Sequence, residues 1–291
     1  MELGKNDLGL KEIWEGVFNV YLAVARICDK NNLRYYVSDG CALGSVRHGG
    51  FIPWDDDFDI SMPRLDYEKF LRIADKELPS HLKVVTRRNT PEYYMLFAKI
   101  QDCREDYIRK LESSYGSQLS NGIYIDILPI DGTSRSSLVR YCADKWFRLR
   151  RMLMRFRCDV FSRQTVKGKF YWLIGGWLMI FFPWLWKIDN LLESYEKSAK
   201  RYTFDDSDLT IRPCSNISYR RKPIRKSVWG CASIGKFGEM FIKLPQDVEQ
   251  YLRVEYGDYM KMPPEAQRVP GHQYSQRCPW WLGPTTDRRS S

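Results

Sequence analysis

Residues 38–62, SDGCALGSVRHGGFIPWDDDFDISM, place four carboxylates, Asp55, Asp56, Asp57 and Asp59, within five positions at the head of an apolar run. Crowded like charges repel unless something positive compensates them, and a divalent cation is the natural compensator. In a strand through 57–60, alternation puts Asp57 and Asp59 on one face and Phe58 and Ile60 on the other, so that two carboxylates share one ion. Hard oxygen ligands suit Mg²⁺ or Mn²⁺, ions that commonly take phosphate oxygens in their remaining positions. An acidic surface turn that binds nothing is the competing reading; the hydrophobic strand that follows at once speaks against it.

Upstream, Tyr35–Val37 reads as a short strand, followed by Gly40, small residues to Ser45, and a basic turn Arg47-His48-Gly49-Gly50. Glycines let backbone N–H groups approach an anion, a helix starting near Cys41 points its positive end at a phosphate, and Arg47 adds charge. A second acidic position lies in Gly122–Gly132, where Asp126 is flanked by Ile125 and Ile127. An acid on such a strand requires a partner, for which a metal is the expectation, unless the strand is an edge with Asp126 facing water. Asp131 reads as a cap of the turn that follows, and Lys99 as a contact for phosphate or an exposed strand lysine.

Leu43-Gly44-Ser45 followed by Asp57-Phe58-Asp59-Ile60 resembles the signature of the nucleotidyltransferase fold, and LGSVRHGGFIPWDDDFDISMPRLDYEKF closely resembles the LicD family, which includes bacterial phosphocholine transferases and relatives of fukutin and fukutin-related protein. Tyr251–His272, YLRVEYGDYMKMPPEAQRVPGH, resembles that family's C-terminal signature; the segment Ser38–Ala42 departs from the common wording at Asp39 and Cys41. The resemblance implies an α+β fold with a nucleotidyltransferase-like mixed sheet and flanking helices. It implies that Asp57, Asp59 and Asp126 are both the metal ligands for Mg²⁺ or Mn²⁺ and the catalytic acids. Gly44, Ser45, Arg47, His48, Lys99, Arg268 and His272 are the candidates for substrate and phosphate contacts. The implied reaction moves phosphocholine or a related phospho-alcohol from CDP-choline or another CDP-alcohol donor to a sugar hydroxyl of a surface glycan or its lipid-linked precursor, releasing CMP. Nucleotidyl transfer with release of pyrophosphate is the second enzymatic reading. A noncatalytic basic adaptor is a third, with no use for residues 55–59.

Apolar residues at three- and four-residue steps predict a helix over Leu10–Cys28, and Pro63 opens a second through Ala74. Strands are expected at 82–86 and 93–100, a helix from Asp247 to Gly257, strand and turn at 236–245, and a mixed, loop-like stretch over 201–226. Residues 1–133 form the expected catalytic core, 134–202 a helical basic and aromatic membrane-proximal insertion, and 203–291 a C-terminal region completing the domain. Nine basic residues between Lys145 and Lys169 run into the uncharged Phe170–Trp186, which reads either as a surface-lying membrane segment or as a buried hairpin. The formal charge of +10 with that block points to an anionic membrane surface, and no nucleic acid is expected. Eight scattered cysteines make no Cys-x-x-Cys pair and predict reduced thiols. The first residues lack the apolar core of a signal peptide, which points to a cytoplasmic, peripheral place on the inner face of the cell membrane.

Overall fold

The computed structural model describes residues 10–90, 93, 95–104, 123–161, 188–213 and 223–268, with backbone alone over 151–161 and at 188. His272 and Phe170–Trp186 lie outside the described residues. The chain begins with α1 (Leu10–Lys30), β1 (Tyr36–Ser38), α2 (Asp39–His48), β2 (Asp59–Pro63), α3 (Arg64–Glu77), β3 (Leu82–Val85), β4 (Ala98–Asp102) and β5 (Tyr124–Thr133). It continues with α4 (Ser137–Phe161), α5 (Ile188–Ala199), β6 (Leu209–Ile211), β7 (Ile224–Arg225), α6 (Lys226–Trp229), the hairpin β8 (Ser233–Phe237) and β9 (Met240–Leu244), α7 (Val248–Tyr256) and a 3-10 turn at Glu265–Gln267.

The mixed sheet is built on β5. It runs parallel to β2 over Asp126–Ile130, antiparallel to β4 over Tyr124–Ile127, and antiparallel to β6 over Asp131–Thr133. β1 edges β2, β3 edges β4, and β7 extends β6. Period-two alternation divides the strands cleanly: Phe58, Ile60, Met62, Ile100, Ile125 and Ile127 are buried with α1 and α3, whereas Asp59, Lys99 and Asp126 project from the other face. α1 approaches so closely that a Cβ on Gly16 would lie 2.3 Å from Ile123 Cδ1, so any larger residue there would have to displace that side chain.

Strand 57–60 begins two residues later than its alternation predicts. Its neighbour β1 ends with Ser38 opposite Asp59, where the chain turns into α2, so Asp57 and Phe58 have no ladder on that side. They still approach extended, and Phe58 O accepts from the Asp126 amide at 3.0 Å. The strand expected at 93–100 is observed at Ala98–Asp102. The stretch 201–226 is not merely loop: β6 and β7 inside it complete the sheet against the far end of β5. Such short strands carry too few residues for a legible alternation.

Asp131 is not a turn cap. It lies in β5, fully buried, and its carboxylate takes both arms of Arg64, Nε to Oδ1 at 2.8 Å and Nη2 to Oδ2 at 2.5 Å. Burial raises its pKa, against the opposing pull of the guanidinium. This pair fastens the first turn of α3 to the strand beneath it. Among the described residues Cys28, Cys41, Cys103, Cys142 and Cys231 are free thiols, and no helix is long and apolar enough to cross a membrane.

Breaking one side of this pair strands a charge in the interior. Asp131→Ala should therefore lower unfolding stability by about 3–5 kcal/mol in urea denaturation, and the double replacement Arg64→Met with Asp131→Leu should cost less than the single one.

Candidate active site

Four segments deliver acids to one place. β2 carries Asp59, directly beside Asp126 in the parallel register with β5; the turn ahead of β2 carries Asp55 and Asp57; the first turn of α2 carries Asp39. The turn is held from outside the sheet, where Trp14 Nε1 of α1 donates to Asp55 O at 2.6 Å and stacks on Phe51 at 5.2 Å. A Cβ at Gly40 would lie 2.2 Å from Asp55 Oδ2, so the start of α2 sits against the acids and turns its positive end towards them.

The electrostatics follow from the crowding. Asp55 is raised well above the usual carboxylate range by burial, then by the Asp57 charge and a hydrogen bond with Asp57. A hydrogen bond between two carboxyl groups requires a shared proton. Asp59 is likewise raised, by enclosure of its carboxyl first and then by Asp57, Asp39, Asp126 and Asp55. Cys41, buried beneath them, is pushed up by burial and by the same acids; the thiol keeps its proton and donates to Asp57 O at 3.4 Å.

Among the described residues, Lys99 and Arg212 answer this charge. Lys99 Nζ on β4 lies 2.6 Å from Asp126 Oδ1 and 3.5 Å from the centroid of the Tyr124 ring, so the partner that the strand acid required is in the first place a lysine. Lys99 is thereby neither a lone exposed lysine nor free of the acid cluster. Arg212, just past β6, is buried and spans Asp39 through both terminal nitrogens, Glu255 Oε1 of α7 at 2.8 Å and Ser61 Oγ at 3.3 Å. Burial works against its charge, but Asp39 and the neighbouring Tyr251 carry its pKa above the ordinary guanidinium value. Asp39 itself takes a left-handed φ of 49°, and its amide donates to Tyr251 Oη at 3.0 Å. Tyr256, at the end of α7, has its hydroxyl raised by burial, then by Asp39 and Tyr251.

Asp39, Arg212, Glu255 and Tyr256 were not among the residues that spacing singled out. Asp39 and Tyr256 lie inside family-like segments, but Arg212 and Asp39 are 173 positions apart and nothing local joins them.

The other sequence-predicted residues divide into two groups. Gly44 and Ser45 are in the body of α2: a Cβ on Gly44 would meet Gly50 O at 2.3 Å, and buried Ser45 donates to Lys236 O at 2.8 Å, so both are engaged in packing α2 against its turn and the β8–β9 hairpin. Arg47 Nη1 donates to Tyr259 O at 2.9 Å, and burial lowers its pKa. His48 and Arg268 are brought together around Trp54, His48 edge-on at 6.1 Å and the Arg268 guanidinium 5.8 Å from the ring centroid. Burial and Arg47 lower the pKa of His48.

Among the described residues no group of three or more His, Cys, Asp or Glu side chains is arranged to hold a metal ion. The donor chemistry nevertheless fits a hard cation. Asp59 is surrounded by the carboxylates of Asp57, Asp39, Asp126 and Asp55, and oxygen ligands of this type are those a divalent ion takes. Such carboxylates are the oxygen donors a hard cation would take, and Asp126 is an acceptor for a hydroxyl proton.

A carboxylate pair on neighbouring strands beside a glycine-bearing helix start is the arrangement of a nucleotidyltransferase domain. Residues 32–173 match the LicD/FKTN/FKRP nucleotidyltransferase domain. Over 255 residues, 84% of this chain and 89% of the relative, the protein is 26% identical to the lipopolysaccharide cholinephosphotransferase LicD of Haemophilus influenzae. Short stretches are similar to uncharacterized proteins of Rickettsia typhi, 48% identical over 44 residues, and Rickettsia prowazekii, 51% over 37, each covering 14% of the relative.

Raised carboxyl pKa values have a definite consequence for stability. The folded state holds protons that the unfolded chain releases near pH 4, so metal-free protein loses stability as pH rises above that point towards the raised pKa values of Asp55 and Asp59. In EDTA the melting temperature should fall between acidic and neutral pH. Asp55→Asn should flatten the fall; an unchanged slope in that variant would assign the pH dependence elsewhere.

Proposed function

We propose that the protein is a divalent-cation-dependent transferase that moves phosphocholine, or a related phospho-alcohol, from a CDP-alcohol to a sugar hydroxyl of a glycan or lipid-linked sugar, with CMP as the leaving group. The carrying observation is the register of Asp59 beside Asp126, with Asp55 and Asp57 adjoining, in a domain that matches the LicD family. The name of the Haemophilus relative supports a transferase acting on a sugar-containing acceptor in general and favours choline phosphate within that class.

In this reading Asp57, Asp59 and Asp126 hold Mg²⁺ or Mn²⁺, which when bound neutralises the donor's diphosphate and the charge developing during phosphoryl transfer. Asp126 receives the proton of the attacking sugar hydroxyl, with Lys99 fixing its side chain from the next strand. Arg212 keeps Asp39 and the start of α2 in place on the opposite side of the cluster. Arg268 and His48, which both approach Trp54, together with Arg47, contact the donor phosphates in this reading.

Purified protein incubated with a panel of CDP-alcohols, Mg²⁺ and candidate glycans should release CMP in an acceptor-dependent manner. Release of pyrophosphate from a nucleoside triphosphate would instead establish nucleotidyl transfer. Asp57→Asn, Asp59→Asn and Asp126→Asn should each lower turnover about a hundredfold or more without loss of fold, since an amide keeps the shape but not the charge. Full activity of Asp59→Asn, or of wild type in excess chelator, would refute the metal assignment.

A further inference from the structure

The 25-residue α4 has, over its residues 137–150, a second apolar face that is exposed among the described residues. Its inner side packs on α5, where Phe147 is buried with Leu191, Leu192 and Tyr195, and Arg150 Nη1 donates to Ser198 Oγ at 2.7 Å. The outer side carries Leu138 at 70% exposure, Tyr141 at 59%, Trp146 at 51%, and Val139 and Leu149 at 38% each. At helical spacing Leu138, Cys142, Lys145 and Leu149 form one stripe, with Tyr141 and Trp146 flanking it and Phe147 opposite. Isolated exposed apolar residues are ordinary, but a surface helix normally turns polar groups outward, and this one is apolar on both sides.

We propose that the outward face of α4 docks on an anionic lipid bilayer. Charge selects this occupant. Ser137–Phe161 contains seven basic residues, one of them the inward Arg150, and two acidic ones, so a second copy laid face to face would set like charge against like, whereas an anionic leaflet supplies the complement. The side-chain types agree: Trp and Tyr favour the boundary between headgroups and acyl chains, and an interfacial helix lies along that plane with apolar residues inward and basic ones at its edges. Lys145, the charge within the stripe, lies 5.2 Å from the Tyr141 ring centroid, and its long stem lets the ammonium reach headgroups while its methylenes stay with the apolar residues. The surface is separate from the acid cluster, and the inference does not depend on the reaction assigned there.

The test is flotation of the full chain with vesicles of phosphatidylcholine alone or mixed equally with phosphatidylglycerol, at low and high salt. Wild type should float with the anionic vesicles at low salt and stay behind with neutral ones. Leu138→Ser with Trp146→Ser, both at exposed positions, should reduce the ratio of bound to free protein about tenfold or more while circular dichroism is unchanged. Lys145→Glu, which removes no apolar area, should weaken binding to anionic vesicles alone and serves should the double variant fail to fold. Three results would overturn the proposal. Wild type stays unbound; it floats but neither variant changes its binding; or light scattering shows a dimer that the double variant dissociates, which assigns the face to a second copy.

Discussion

The organising constraint is mutual repulsion among carboxylates held on one face of a sheet. Asp57, Asp39, Asp126 and Asp55 all add to the proton affinity of buried Asp59, and Asp57 to that of buried Asp55; no arrangement of backbone alone would keep them there. Much of the surrounding structure serves to compensate or restrain them. α2 turns its positive end towards the turn, Lys99 pairs with Asp126 across β4 and β5, and Arg212 reaches from beyond β6 to Asp39. On the opposite face, α1 and α3 bury the alternate strand residues and supply the apolar area against which this charge is tolerated. Trp14 links the two faces, since it belongs to the packing helix but grips the backbone of Asp55.

Arg64 and Arg212, both buried, act differently because their partners do. Arg64 meets one carboxylate in a bidentate fork and fixes a helix to a strand. Arg212 joins Asp39 and Glu255, from elements distant in sequence, at the edge of the acid cluster. A change in charge at the site therefore reaches α2 and α7 through one guanidinium, whereas Arg64 lies at the other end of β5, where it holds the frame. The hairpin β8–β9 adds a mechanical link: Ser45 in α2 bonds to the backbone at Lys236, and Gly238 N donates to Gly49 O at 2.6 Å, so the turn after α2 is held from the C-terminal part of the chain.

Local pattern made a good part of this legible. Apolar steps of three and four along 10–28 identify a helix observed at Leu10–Lys30, and the Asp247 start and Gly257 stop of α7 are both where capping chemistry puts them: Asp247 accepts from Gln250 N, and Gly257 takes a φ of 70°. The alternation of acids and hydrophobes around residue 58 assigned faces correctly even though the regular ladder starts at Asp59, because side-chain direction in an extended chain does not wait for the hydrogen bonds. Asp131 misled for the complementary reason. An Asp beside Gly looks like a turn, and only the arrival of Arg64 from α3 makes a strand interior tolerable for it.

By itself the sequence determined the acid cluster, its likeness to the LicD family, the face on which Asp57 and Asp59 lie, and the helices whose periodicity runs long enough to read. Each is a property of neighbours within a few turns of chain. The tertiary structure alone decided that Asp126 stands beside Asp59 and is taken first by Lys99, that Gly44 and Ser45 are used in packing, and that Arg212 closes the site from 173 residues away. It also decided which side of α4 is covered, since an amphipathic pattern specifies that a helix has faces but not what meets them. The physical reason is common to all of these. Charge pairing and burial depend on distance in space, and chain spacing fixes distance only for residues that share an element.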